Sequence, residues 1–497
     1  MDIRRTISVT ILIATFTAGI GAAAGLIALG VEGSVWSSLL VIAITVAFIG
    51  SLLSLEFSFY LLLLLGLTEG IYKTMAPSLF TLAAKDVVLV LMLGRLVYVS
   101  LRNHDFSWLR QRLSIPTVLF TGYVVAMAVA PSTASPSLAI AGIRSWLLWL
   151  PLYYPVWVIF DSKEKVLRLL YALAAAIVPL TLYGIYQRQM GFEHLAPIEE
   201  LYLHSLWHAG RAMSIFNTPH AFGGFAAIVT LVSFGLALYH KSKPLRLLFI
   251  GTTIVAAGGV LTSDVRGAFL GLAVALLMFL LLARHKLTIG FLVAITAVVS
   301  WIYLLPEDIE GTSKLRHHTS TQIVIKRVTM PLGRAIDQVT EYPLGYGVAT
   351  GSGSGRIFGQ LRARAAAHDL EWIENEIGRA LTELGLPGFF FWAWLLWIAV
   401  RTTIHAVRTA VTDADHYLLL GMSAAMFVVL SGLMTGSALY DAAAGIYFWI
   451  FAAIVARLHQ ILEAKRAEQD DTTDTADAEA HTSPMSTMLP TAKSGVQ

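Results

Sequence analysis

The sequence predicts an all-α polytopic membrane protein with about 12–14 transmembrane helices and one large extracytoplasmic loop. Three observations carry that prediction. First, 56% of the 497 residues are hydrophobic and only 13% charged, with a mean hydropathy of +0.69. Soluble domains carry about 25% charged residues. A soluble chain this apolar could not cover its own surface, which excludes a cytosolic enzyme, a secreted disulfide scaffold and a disordered chain. Second, the apolar residues run continuously over roughly 20 positions at a time, the length of a bilayer-spanning helix. They do not alternate as in an outer-membrane barrel. Third, Lys and Arg recur on alternate connections, the pattern of cytoplasmic loops.

Taken in order, the runs place spans near 7–30, 35–55, 57–72, 80–100, 115–131, 138–160, 166–187, 217–239, 245–263, 266–284 and 287–305. Three more follow near 377–400, 417–436 and 439–458. The first run follows Arg4 and Arg5 and reaches Gly30, too long for a signal-peptide core, so it reads as an uncleaved span. The third is the weakest, because Glu69 sits near its end. The basic connections hold Arg102, Arg110 and Arg112; Lys163, Lys165 and Arg168; Lys241, Lys243 and Arg246; Arg284 and Lys286; Arg401 and Arg408; and Arg457, Lys465 and Arg466. That face is cytoplasmic by the positive-inside rule, and both termini lie with it.

The resulting organisation is residues 1–305 as spans one to eleven, with short loops and a longer outer loop at 188–216; 306–376 as the large extracytoplasmic loop; 377–460 as the last spans; and 461–497 as a cytoplasmic tail. The tail is polar from about Ala467 and is expected to be disordered. The outer loop carries Lys314, Arg316, Lys326, Arg327, Arg334, Arg356, Arg362 and Arg364. Long loops cross regardless of charge, so these do not overturn the topology. They suit either anion binding or solvation of an outer domain. The absence of cysteine removes thiolate chemistry, disulfides and Cys-based metal sites. The net charge of +3 follows from the cytoplasmic loops and implies no nucleic-acid partner. No internal repeat is apparent, which favours an enzyme with an extracytoplasmic site over a transporter.

Ionisable groups inside spans are costly and point to function. Lys85 and Asp86 fall in the outer part of the fourth span and Arg144 in the outer part of the sixth. Arg211 precedes the eighth span from outside, and Arg266 begins the tenth. A local Lys85–Asp86 pair and snorkelling of Arg144 to the headgroups explain the same residues without a ligand. Arg95 lies nearer the inner end. Asn217, Thr218 and Pro219 read as a turn and helix start, and Gly223–Gly224 as a point of close helix approach. After the short hairpin at Asp264–Val265, Arg266 sits at the membrane boundary, where its planar fork suits a phosphate. In the large loop, the stretch after Pro331 reads as a helix ending at Pro343. From Ala367 to Gly388 a helix leading into the next span puts His368, Glu371 and Asn375 within about 60° of one another, with Glu374 on the shoulder of that face. A carboxylate or imidazole there suits a general base. A solvated helix whose acids neutralise the basic loop fits equally.

Four pieces occur in sequence: RAMSIFNTPHAFGGF, SDVRGAFLGL, a loop ending EYPLGYG, and ENEIGRALTELGLPG. Their order, spacing and position relative to the spans resemble the O-antigen ligase and O-antigen polymerase superfamily over residues 205–400. The resemblance implies a GT-C-like membrane fold and glycan transfer at the outer face of a bacterial inner membrane, from a polyprenyl-diphosphate-linked donor. It implies no cofactor and no metal. Arg211 matches the family arginine before the Asn–Pro turn, and Arg266 the one in the SxxRGA-type turn. Arg327 lies near the arginine upstream of the Pro–Leu–x–Gly turn. Arg334 and Gly345 fit an R-x10-G pattern of some polymerases. Lys85, Arg144 and Asn375 join these as substrate-binding candidates. Family ligases place His–Asn nine residues before the Glu of Glu-x-Gly-Leu-Pro-Gly; here Glu374 holds the His position, with Asn375 after it, and His368 lies six residues early. That departure favours a polymerase-like relative.

On this expectation the arginines stabilise charge developing on the diphosphate leaving group, and Glu374, or else His368, takes the acceptor hydroxyl proton. The expected partners are the lipid-linked donor, a glycan acceptor, membrane lipids and, for a polymerase, a chain-length regulator. A ligase acting on a lipid or protein acceptor is the alternative within the class; a polysaccharide flippase or exporter is the alternative outside it.

Overall fold

The computed structural model describes residues 45–70, 79–130, 136–190, 211–284, 321–351, 375–434, 436, 438–439 and 444–482, without the side chains of 79–82, 321–328 and 469–482. After a helical stretch over 45–53, the helices are α1 (Leu55–Leu67), α2 (Leu79–Asn103), α3 (Ser114–Val129), α4 (Pro136–Leu147), α5 (Tyr153–Ile159), α6 (Lys163–Met190), α7 (Pro219–Tyr239), α8 (Lys243–Ser263), α9 (Arg266–Leu282), α10 (Thr321–Glu341), α11 (Glu376–Thr409), α12 (Asp413–Gly432) and α13 (Gly445–Thr482). No strand occurs among the described residues. Six helices, α6, α7, α8, α11, α12 and α13, are long and apolar enough to cross a membrane. The chain is an all-α multi-pass membrane protein. The spans expected at 7–30 and 287–305 lie outside the described residues.

The centre of the bundle is α7, which packs against α6, α8, α9 and α12. Its sequence is apolar or small all round, the composition of a helix enclosed by others. Thr218 caps it, its Oγ1 accepting from Ala221 N at 3.1 Å, and Pro219 fills the first turn, where no N–H is needed. In lipid the association of helices rests on close packing rather than on exclusion of water. A tight approach occurs at Gly235, where a Cβ would lie 2.9 Å from Gly421 Cα of α12. Gly223 gives similar access to Ser263 and Ala268 at the α8–α9 turn.

Two breaks depart from the sequence reading. The sixth span is not one helix over 138–160 but α4, a 3-10 turn at Leu150–Leu152 and α5. Pro151 removes a helical donor and crowds the preceding turn, and Pro155 is tolerated in the first turn of α5. In α11 the backbone turns at Gly385 (φ 65°, ψ −169°), followed by Pro387. Helix α13 continues to Thr482, into the polar stretch after Ala467.

The ends of the bundle differ. At one, the basic connections gather: Lys163 pairs with Asp415, Arg284 with Asp413 at 3.5 Å, and Lys163 lies over Tyr239 at 4.9 Å. At the other lie Lys85, Arg144, Arg211, Arg266 and Asn375.

Candidate functional site

The segment after α10 folds against the kink of α11. Tyr346 N donates to Thr382 O at 2.9 Å, Gly347 N to Glu383 O at 3.1 Å, and Leu386 N to Pro343 O at 2.9 Å. Gly345 (φ 88°) and Gly385 are in left-handed backbone, which glycine adopts without a steric cost. Tyr123 of α3 closes the joint, its OH donating to Leu384 O at 2.8 Å. Gln338 and Thr382 join the helices through side chains at 2.7 Å, and Ala335 packs with Leu381. The EYPLGYG and ELGLPG pieces are thus two halves of one contact.

Glu383 lies under this contact with no exposed surface. Its Oε2 accepts from Trp146 Nε1 at 2.7 Å and from Ala349 N at 3.0 Å; its Oε1 accepts from Gly351 N at 3.0 Å. One turn earlier Arg379, also buried, stacks on the Trp146 ring at 4.2 Å and approaches Glu376 Oε1 at 3.5 Å. Glu376 Oε2 accepts from Leu439 N at 2.9 Å. A cavity of about 20 Å³, lined by Glu376, Ser145 and four tryptophans, adjoins this cluster. Beside it, Tyr346 OH donates to Glu341 at 3.3 Å. Desolvation, and then the Glu341 carboxylate, pushes that phenol up to about 12.

Helix α4 joins this cluster to the next. Gly142 packs on Val348, Trp146 reaches Glu383, and Arg144 pairs with Asp86 of α2, with Nη2–Oδ1 at 3.2 Å. Lys85, the neighbour of Asp86, turns the other way: it pairs with Glu69 at 2.6 Å, both side chains at most 5% exposed, and lies 5.6 Å from the Trp149 ring. The two adjacent charges therefore serve different partners and do not pair with each other. Next to Glu69, Gly70 abuts the backbone of Ile215 and Phe216.

That contact leads to the arginine-bearing turns. Gln187 of α6 holds the segment after Arg211, accepting from Ser214 N at 2.8 Å and donating to Ser214 O at 2.9 Å. Ala212 N donates to Thr262 O at 3.4 Å, so the segment that begins at Arg211 runs beside the α8 end. Asp264 ends α8 in left-handed backbone, and Arg266 opens α9. Both arginines are half-buried.

Of the residues picked from sequence, Arg211, Arg266, Lys85, Arg144 and Asn375 are described at this end of the bundle. Arg334 is exposed on α10. Arg327 is on α10, its side chain outside the described residues, as are Glu374, His368 and Glu371 entirely. Asn375 is the cap of α11: its backbone is extended and its Oδ1 accepts from Gly378 N at 2.6 Å. The expected shared face with His368 and Glu371 does not extend to Asn375, because Asn favours the cap over a helix interior. Glu69, Glu376, Arg379, Glu383 and Gln187 were not assigned roles from sequence. The spacing 376–379–383 was a legible signal, three charges on one stripe at the start of an apolar span. Glu69 and Gln187 had none that named their partners.

Among the described residues no group of three His, Asp or Glu side chains is placed to hold a metal. The charged side chains described at this end of the bundle include the Lys85–Glu69 and Arg144–Asp86 pairs and the half-buried Arg211 and Arg266. No family model and no curated protein matches the chain. The fold and site define its class: an all-α, multi-pass membrane protein with a cluster of charged side chains at one end of the bundle.

Proposed function

We propose that the protein is an inner-membrane glycosyltransferase. It polymerises polysaccharide repeat units from a polyprenyl-diphosphate-linked donor at the extracytoplasmic face. The observation that carries the reading is the contact of Pro343–Gly347 with the kink of α11. It seats α10, which bears Arg327 and Arg334, on the helix that Glu374 and Asn375 lead into, at the end of the bundle where Arg211 and Arg266 lie.

The chemistry follows from these groups. The acceptor hydroxyl oxygen bonds to the donor's anomeric carbon while the bond from that carbon to the diphosphate oxygen breaks. The hydroxyl proton passes to Glu374. Arg266, Arg211 and the arginines of α10 stabilise the charge gained by the leaving diphosphate. The apolar bundle receives the polyprenyl chain. A glutamate where ligases of the resembling superfamily place histidine favours polymerisation over ligation.

The test is incubation of the purified protein with lipid-linked repeat units. Longer glycans on the lipid support polymerisation. Transfer to a second lipid or protein acceptor replaces it with ligation. Movement of the lipid across a vesicle without covalent change replaces it with transport.

A further inference from the structure

The Glu383 carboxylate joins three chain segments at once. Its carbon chain belongs to α11, Trp146 reaches it from α4, and Ala349 and Gly351 reach it from the strap after α10. The three donors divide between its two oxygens, two on Oε2 and one on Oε1. A carboxylate accepts at both oxygens, whereas a carboxamide accepts at one and presents N–H at the other. The same strap is bound through its backbone to Thr382, Glu383 and Leu386, and Val348 packs on Gly142. Residues 345–351 are therefore held on one side by α4 and on the other by α11, with the Glu383 carboxylate between.

We propose that Glu383 is a positioning residue. Its carboxylate latches residues 345–351 between α4 and α11, and so sets the place of α10 and of the arginines that α10 carries. The link to α10 is short: Glu341 ends the helix, and Gly345 N bonds back to Tyr342 O at 2.9 Å. The effect of Glu383 on transfer passes through the strap, and this part rests on the reading of α10 as a donor-binding helix.

The cysteine-free chain allows a direct test. Thr350→Cys reports on the strap, and Ser423→Cys, at a fully buried position in α12, reports on the bundle. Each is combined with Glu383→Gln, with Glu383→Ala and with no further change, and the reaction of its single thiol with a thiol reagent is timed in detergent. In Glu383→Gln the new N–H faces the Gly351 N–H, and the strap thiol should react about tenfold faster, the opening expected when one charge-assisted hydrogen bond is lost. The bundle thiol should be unchanged. In Glu383→Ala the strap thiol should react faster still. If the alanine variant does not fold, the glutamine variant decides alone. An unchanged strap-thiol rate in Glu383→Gln overturns the latch. A parallel rise at the bundle thiol also overturns it, because Glu383 would then hold the whole bundle. With lipid-linked repeat units, Glu383→Gln should raise KM for the donor by about tenfold with little change in kcat; a fall in kcat at constant KM overturns the positioning role. Absence of transfer by the unsubstituted protein removes the proposed reaction, while the thiol rates still decide the latch.

Discussion

Gly345 and Gly385 meet backbone to backbone. A Cβ on Gly345 would lie 2.5 Å from Gly385 N, and one on Gly385 would lie 2.3 Å from Pro343 O. Both residues are in left-handed backbone. Gly385→Ala should therefore destabilise the protein by about 1–3 kcal/mol from conformation alone, with backbone overlap added. Thermal unfolding in detergent measures it; a midpoint equal to that of the unsubstituted protein would mean that the two turns do not dock as described.

Lys85 and Glu69 form an ion pair at 2.6 Å with little solvent access. Removing one partner of a buried ion pair costs about 3–5 kcal/mol. Lys85→Met and Glu69→Leu should each destabilise the protein, and the two together should recover most of the loss. A double-substitution cycle on unfolding free energy reads the coupling. Additive effects of the two single changes would contradict it.

Arg266→Ala should cut transfer by about 10²–10³ in kcat while the protein stays folded, by analogy with removal of an oxyanion donor. Arg266→Lys should restore only part, since it lacks the planar fork. Near-normal turnover in the alanine variant would remove Arg266 from the diphosphate site.

Glu374→Gln should lose roughly 10²–10⁴ in rate if this carboxylate takes the acceptor proton, and His368→Ala should be mild. Glu374→His should keep some activity, because imidazole also accepts a proton. The reverse pattern, with activity lost in His368→Ala and kept in Glu374→Gln, would make His368 the base.

Cysteine placed at Ser352 should react with an impermeant thiol reagent from outside the cell, and cysteine in the tail after α13 should not. Labelling of the tail alone would reverse the topology and move the proposed site to the cytoplasm.

Local pattern in the sequence was enough for the class of protein, for the apolar stretches that form the six helices able to cross a membrane, and for several helix ends. Continuous apolar runs dictate helices wherever the backbone has no water to bond, and Thr218–Pro219 announces the start of α7 because a cap and a missing N–H act within one turn. The same local logic failed at Asn375, read as a helix-face residue when its side chain caps the helix instead. It also ran one span through Pro151.

What only the tertiary structure decided is which charges share a partner. Lys85 and Asp86 are adjacent in sequence, yet one turns to Glu69 and the other to Arg144. Glu383 draws Trp146 from 237 positions away and the strap amides from 34 and 32. Hydropathy and helical period are properties of a few neighbouring residues. The rotation of each helix, and the left-handed turns at Gly345 and Gly385 that bring distant segments into register, follow from packing among all of them.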